Sequence, residues 1–429
     1  MRHEGTREER AARAVDVLVV GAGPAGLAAA ARLAAAGAGR VEVLEREPEA
    51  GGAARLCAHP GFGADRRGRP LDGPGYAGRA VRAAVRAGAA VRTGVSVTGW
   101  AGPLVLETTA PTGLEAVRAR AVVLATGARE RARPARLLPG TRVRGVLTAG
   151  ELQRTVALFG PRPERIGRRA VVAGDGPEAG HAVRLLRRAG VAVVAVVGEG
   201  PRAAVRAGGV PVLAETAVTE VTGRGRLAGV AVRGRDGRPR AVGCDTLVLT
   251  GDWVPEHALA RAGGLPLAPG GRGPLVDGAL RTAVPGVFAA GGLLHGGEPA
   301  ARAASEGRAV AAAVLAHLGG GAPRAAEGLP VETSGPLRWV HPGLLGPAPA
   351  PLLLRAEHTL VRPLLTVRQD GRVLHRGRPA GVLPAWRSLR LDARWTRGAD
   401  PGGGPVVVDV RERGAGGPTE GLARVRGRA

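Results

Sequence analysis

The sequence predicts an α/β chain of two Rossmann-like dinucleotide-binding domains, the second inserted in the first, followed by a small C-terminal β-domain. Three observations carry this. A short apolar strand runs into a G-x-G-x-x-G turn, Val17-Leu18-Val19-Val20-Gly21-Ala22-Gly23-Pro24-Ala25-Gly26, and an Ala/Leu-rich helix follows. A second turn of the same kind, Gly174-Asp175-Gly176-Pro177-Glu178-Ala179, stands a full lobe later. Beyond Pro330 the composition shifts, and three of the five tryptophans (Trp339, Trp386, Trp395) fall among alternating apolar and polar residues.

Each part of the first unit has a physical task. Gly21 permits the tight turn. Gly23 has no Cβ, so a pyrophosphate can approach the backbone, and Gly26 lets helix and strand pack closely. Pro24 and Ala25 complete the turn, where the helix start offers free N–H groups and the positive end of its dipole. The next strand, Val41-Glu42-Val43-Leu44-Glu45, ends on an acid that can accept ribose hydroxyls, and Arg46 follows it. A bare G-x-G-x-x-G is weak, and an Ala-rich chain can hold a Gly-rich turn with no ligand. Strand, turn, helix and acid in order point to a dinucleotide.

The rest of the chain reads in the same units. Ala121 to Leu124 is a buried strand stopping at Thr126-Gly127. The second turn leads into a helix to about Ala189 and a strand from Val191 to Val197. Asp245 to Thr250 closes that lobe. Val287-Phe288-Ala289-Ala290-Gly291-Gly292 returns to the first, and an Ala-rich helix runs to about Leu318. Residues 14–165 and 256–320 are expected to form the first domain, 166–255 the inserted one, and 331–410 the β-domain. Asp370-Gly371 between two alternating runs signals a hairpin. The tryptophans of this module are expected to fill its own core, a docking surface being the alternative. Residues 1–13 and 411–429 are expected to be disordered tails.

Composition excludes several classes. All 61 basic residues are arginine and the net charge is +25. They are scattered, and aromatics are only 2%, so no nucleic-acid surface is expected. Cys57 and Cys244 are too few for a disulfide framework and form no C-x-x-C, which suits an intracellular, cytoplasmic protein. The apolar stretch from Val15 to Ala38 holds Asp16, Pro24 and Arg32, so no transmembrane segment is expected. His181, His257, His317, His341, His358 and His375 show no metal-ligand spacing, and no metal site is expected.

In this order the motifs resemble the two-dinucleotide-binding-domain flavoproteins of the pyridine nucleotide-disulfide oxidoreductase superfamily, over residues 14–318. Within it, the segment Gly51-Gly52-Ala53-Ala54-Arg55-Leu56-Cys57-Ala58-His59-Pro60-Gly61-Phe62-Gly63 is most similar to opine and octopine oxidase A subunits, hydrogen cyanide synthase subunits and dye-linked amino-acid dehydrogenase subunits. The resemblance implies FAD on Gly21, Gly23, Pro24, Ala25, Gly26, Glu45 and Arg46. Gly51-Gly52, Thr126-Gly127 and Gly291-Gly292 would complete the site. Gly292 stands where the family often has an aspartate for the ribitol chain. In the second lobe Gly174, Gly176, Glu178 and Ala179 would meet NAD(H) or NADP(H). Glu199, one residue past the position equivalent to Glu45, favours NAD(H); a purely structural lobe is the other reading. No redox cysteine pair is present at the family's spacings.

The function expected is that of an FAD-dependent oxidoreductase without a redox disulfide. The first reading is a dehydrogenase. It would oxidise a small amine, amino acid, opine or hydroxy compound by hydride transfer to FAD and pass electrons to a carrier or partner subunit. The alternatives are an NAD(P)H-dependent flavoprotein reductase and a non-catalytic flavin-binding subunit of a larger complex. His59 and His295 lie in loops expected near the flavin, where a neutral imidazole could take a proton. Cys57 is a third candidate, as a nucleophile. Each has a plainer alternative: a loop histidine bonded to backbone, or a small packing residue.

Overall fold

A computed structural model describes residues 13–412, apart from 66, 202–207, 321–323 and 380. Arg13–Val20 lies between two parallel neighbours, Val41–Glu45 and Gly113–Leu124. Both of its faces are covered, which is why Val17 to Val20 read as an unbroken apolar run. Ala90–Thr93 extends the sheet beside Val41–Glu45. Gly113–Leu124 is long enough to serve two partners. Its first half pairs antiparallel with Val105–Ala110, and its last three residues pair parallel with Val287–Ala289. Ser96–Gly102 closes the antiparallel edge.

Helices Pro24–Ala35 and Ala300–Leu318 cross at small residues. A Cβ on Gly307 would collide with the carbonyl of Ala25, so only glycine permits this approach. Val310 and Val314 then seal the core with Leu27 and Leu33.

The second lobe is a parallel sheet in the order Val146–Thr148, Thr246–Leu249, Arg169–Ala173, Ala192–Val197, Val212–Leu213. One face packs on helices Ala149–Phe159 and Pro177–Arg188 through Leu152, Val172, Val183 and Leu186. The other packs on an antiparallel sheet of Ala217–Arg224, Arg226–Arg233 and Pro239–Gly243 through Val221, Val230 and Val232. Two short antiparallel strands, Ala128–Glu130 and Trp253–Pro255, join the lobes.

The expected boundary at 165/166 differs from the strand pairing. Val146–Thr148 pairs with Thr246–Leu249, so this strand and the helix after it belong to the second sheet. A three-residue strand carries too little pattern to be assigned from sequence.

From Leu329 the chain forms three further sheets, of five, three and two strands, around Leu352, Leu354, Val367, Val406 and Val408. Pro363–Gln369 and Arg372–Gly377 make the hairpin at Asp370-Gly371, both turn residues having positive φ (48° and 78°). Of the three tryptophans here only Trp395 sits in this core; Trp339 and Trp386 face the other lobes. A tryptophan signals burial without saying against what.

The ranges expected as tails, 1–13 and 411–429, overlap two strands. Arg13 belongs to the first strand, where Glu42 and Glu115 hold its guanidinium. Arg411 and Glu412 belong to the strand Val406–Glu412. Residues 1–12 and 413–429 lie outside the described residues.

Candidate functional site

The first glycine turn is a cradle with one open position. A Cβ on Gly21, whose φ is 105°, would run into the carbonyl of Ala125, and one on Gly26 would run into that of Gly21. A Cβ on Gly23 would meet nothing within 4 Å. The helix that starts there has no side-chain cap, so its first N–H groups are available to an anion. Gly51-Gly52 folds over this turn: Gly51 N–H donates to Ala22 O at 2.8 Å, and a Cβ on Gly52 would stand 2.8 Å from Gly23 Cα.

The closing turn arrives from the other side. A Cβ on Gly291 would stand 2.5 Å from Ala25 Cβ, and one on Gly292 would stand 3.4 Å from the Ala128 nitrogen. Gly127, at φ 79°, faces open space. The structure thus brings Gly21, Gly23, Ala25, Gly26, Gly51, Gly52, Gly127, Gly291 and Gly292 around one cleft. A cradle of tight glycines left open at Gly23 and Gly127 fits the pyrophosphate of FAD.

Glu45 stands at the end of its strand as expected, but is already engaged. Its Oε2 accepts from Ala22 N–H at 2.9 Å and its Oε1 from Glu47 N–H at 3.0 Å. It locks strand end to glycine turn and keeps lone pairs for a ribose. Thr126 donates through Oγ1 to Glu256 O at 2.8 Å, which ties the Thr-Gly turn to the returning chain. Arg46 is exposed.

The second turn is built differently. A cavity of about 580 Å³ lies against it, between the second lobe and the C-terminal domain. Gly174, Gly176, Glu178 and Glu199 line it, and Trp386 closes it from the C-terminal domain. A Cβ on Gly176 would stand 2.5 Å from Glu178 Oε2 and 3.0 Å from Trp386 Cβ. The position that lies open at Gly23 is covered at Gly176. Ala179 is fully buried in the first turn of the helix Pro177–Arg188. Burial raises the Glu178 and Asp175 carboxyl pKa values.

The three candidate catalytic residues are not together. Cys57 lies near the Gly-Gly loop, with Gln153 Oε1 3.6 Å from its sulfur. Burial, aided by Glu130, pushes its thiol up to about 11, so it is not a thiolate at neutral pH. His59 is half-buried. Its ring stacks on His181 of the second lobe at 3.5 Å between centroids, with Phe62 beside it. Burial and His59 push His181 down to about 4.

The His295 side chain is fully buried. Its Nε2 pairs with Glu306 Oε1 at 2.8 Å, and Glu306 Oε2 accepts from Gly291 N–H at 3.0 Å. Burial opposes a charged His295, but Glu306 outweighs it and the pKa is raised. Burial and His295 push the neighbouring His341 down to about 3. Glu306 thus bridges the His295 ring and the Gly291 amide of the closing turn.

Sequence reasoning misses several of these groups. Glu130, on the strand joining the lobes, accepts from Gly150 N–H (2.7 Å) and Gly251 N–H (3.1 Å), and burial pushes it up to about 7. Glu306 and His341 escape it because their meeting with His295 is made by tertiary packing alone. Glu42 is a charge in a strand that otherwise reads as core.

A family model described as "Pyridine nucleotide-disulphide oxidoreductase" matches residues 15–307. Among curated proteins, the A subunit of opine oxidase from Agrobacterium tumefaciens (strain Ach5) is 35% identical over 171 residues, covering 34% of this chain and 30% of that one. The match thus spans less than a third of that relative's length. Among solved structures, thioredoxin reductase of T. acidophilum matches with a TM-score of 0.57 at 23% identity, covering 71% of this chain and 98% of that one. L-proline dehydrogenase of P. horikoshii matches with a TM-score of 0.53 at 20% identity, covering 74% and 58%. At such identities the structures speak for the fold alone. Among the described residues, no helix is long and apolar enough to cross a membrane. The matched family, spanning both glycine turns and the closing strand, makes this chain a member of the pyridine nucleotide-disulphide oxidoreductases, an FAD-dependent oxidoreductase family.

Proposed function

We propose that this chain is a dehydrogenase that binds FAD in its first lobe and oxidises a small amine, amino acid, opine or hydroxy compound. The observation that carries the reading is the contrast between the two glycine turns. A Cβ on Gly23 would meet nothing within 4 Å, while one on Gly176 would meet Glu178 and Trp386. A nicotinamide cofactor would need the second turn, where these two side chains crowd the glycine that its pyrophosphate would approach. The electron donor is then a metabolite rather than NAD(P)H.

FAD, when bound, supplies the two-electron hydride acceptor. The chain must hold the nucleotide, shield the reacting carbon and take the proton left on the substrate nitrogen or oxygen. Gly21 to Gly26, Gly51-Gly52 and Gly291-Gly292 provide the cradle. His59 is the half-exposed imidazole on the loop after Gly51-Gly52 and takes the role of proton acceptor. Cys57 is a packing thiol. Disulfide reduction is outside this reading, because Cys57 and Cys244 are the chain's two cysteines. Cys244 is buried in the core of the other lobe. Electrons leave to a carrier or a partner subunit, in keeping with a relative that is itself one subunit of an oxidase.

Anaerobic rapid mixing of the purified flavoprotein with donors tests the proposal. Bleaching by an amino acid or opine, with little by NADH or NADPH, is expected. Fast bleaching by either nicotinamide would establish a reductase instead. No bleaching by any donor would point to a non-catalytic flavin subunit.

A further inference from the structure

Behind the closing turn, three metal-ligating side chains converge from three separate elements. His295 follows the short turn Gly291–Leu293, Glu306 lies on the helix Ala300–Leu318, and His341 ends the strand Leu337–His341 of the C-terminal domain. Each offers one ligand atom, and these atoms all lie within 4.8 Å of one another. The imidazoles of His295 and His341 meet edge to face, 4.8 Å between centroids. Trp339 stacks on His295 at 5.4 Å. His295 is 1% exposed and His341 9%.

A hydrogen-bonded His–Glu pair explains only part of this. It accounts for His295 and Glu306 but not for the second buried imidazole, His341, brought against them from the C-terminal domain. Ligand atoms bound about 2.0–2.2 Å from one metal stand roughly 3 to 3.5 Å apart. The 2.8 Å separation of His295 Nε2 and Glu306 Oε1 and the 4.8 Å limit for the set bracket that range, so small side-chain shifts would seat an ion. The outer shell is in place as well: Gly291 N–H fixes the free oxygen of Glu306.

We propose that His295, Glu306 and His341 form a binding site for one divalent first-row transition ion. Two imidazoles and one carboxylate suit Zn²⁺ or Fe²⁺ rather than Mg²⁺ or Ca²⁺. The site joins the closing turn of the first lobe to the C-terminal domain. Its ligands lie 11 and 35 residues along the chain from one another, which is why no spacing motif announces it.

The test is metal content and coordination of the purified flavoprotein, dialysed against Zn²⁺ and, anaerobically, Fe²⁺. One ion per chain by elemental analysis is expected, with X-ray absorption showing imidazole in the first shell. Loading should also raise the melting temperature, because only the folded state assembles the three ligands. His341→Ala and Glu306→Gln should each weaken binding at least about tenfold, whereas His257→Ala should leave it unchanged. Binding below a tenth of an ion per chain would overturn the proposal. So would an ion whose occupancy ignores His341→Ala and Glu306→Gln. If both variants fail to fold, a wild-type absorption spectrum without imidazole scattering overturns it alone.

Discussion

Trp386 of the C-terminal domain lies against Gly176 of the second lobe, 3.0 Å from where a Cβ would stand. A Cβ on the equivalent glycine of the first lobe, Gly23, would have nothing within 4 Å. Two turns with the same sequence pattern thus have opposite accessibility, and the difference is made by a residue far along the chain. Trp386→Gly removes this side chain, whose Cβ and Cγ stand 3.0 and 3.3 Å from the Cβ position of Gly176. NADH is expected to bind the variant about tenfold more tightly than the wild type, a change of about 1.4 kcal/mol. Calorimetric titration of both proteins checks this, and equal affinities would show that Trp386 does not close the site.

Glu130 couples pH to stability. Burial raises its pKa from the ordinary 4.5 to about 7 in the folded chain. The folded state therefore holds a proton that the unfolded state gives up above about pH 4.5, and stability falls as pH rises from there through 7. One pKa unit corresponds to about 1.4 kcal/mol, so the full effect is roughly 3 kcal/mol. Denaturant titrations at pH 5 and pH 8 should show Glu130→Gln less stable than wild type at pH 5, where a hydrogen bond is lost. The gap should narrow at pH 8. A gap independent of pH would mean that Glu130 ionises normally.

Glu42 holds the edge of the first sheet through charge. It is 1% exposed and receives Arg13 at 2.5 Å and Arg92 at 3.1 Å. Both arginines also reach Glu115, and the cluster ties four strands together. Glu42→Ala leaves Arg13 half-buried and short of a partner, at an expected cost of about 3 kcal/mol. The urea midpoint should fall accordingly. A change within about 0.5 kcal/mol would place the pair among ordinary surface ion pairs.

How far the sequence is legible follows from the range of each interaction. The glycine turns, their flanking strands and the Asp370-Gly371 hairpin rest on neighbours within a few residues, and these elements stand where the pattern puts them. The strand Val146–Thr148 escapes detection because three residues set no period. Trp386 and Trp339 are expected in the core of their own module and lie elsewhere, since apolar bulk in a sequence does not say which surface will cover it. His295 stands out from its loop, but its partners Glu306 and His341 arrive from a helix and a distant strand. A charge such as Glu42 inside an apolar strand is a visible signal, and the arginines that explain it become evident only with the sheet order.

That the first glycine turn and not the second holds the flavin is tested most directly by the ratio of FAD to protein after gentle purification. The proteins to compare are the wild type, Gly23→Val and Gly176→Ala. A Cβ at Gly23 would have nothing within 4 Å, so that variant should fold with unchanged circular dichroism. About one FAD per chain is expected in the wild type and in Gly176→Ala, and less than a tenth in folded Gly23→Val. Full flavin retention by Gly23→Val, or loss confined to Gly176→Ala, would contradict a flavin seated on the first turn.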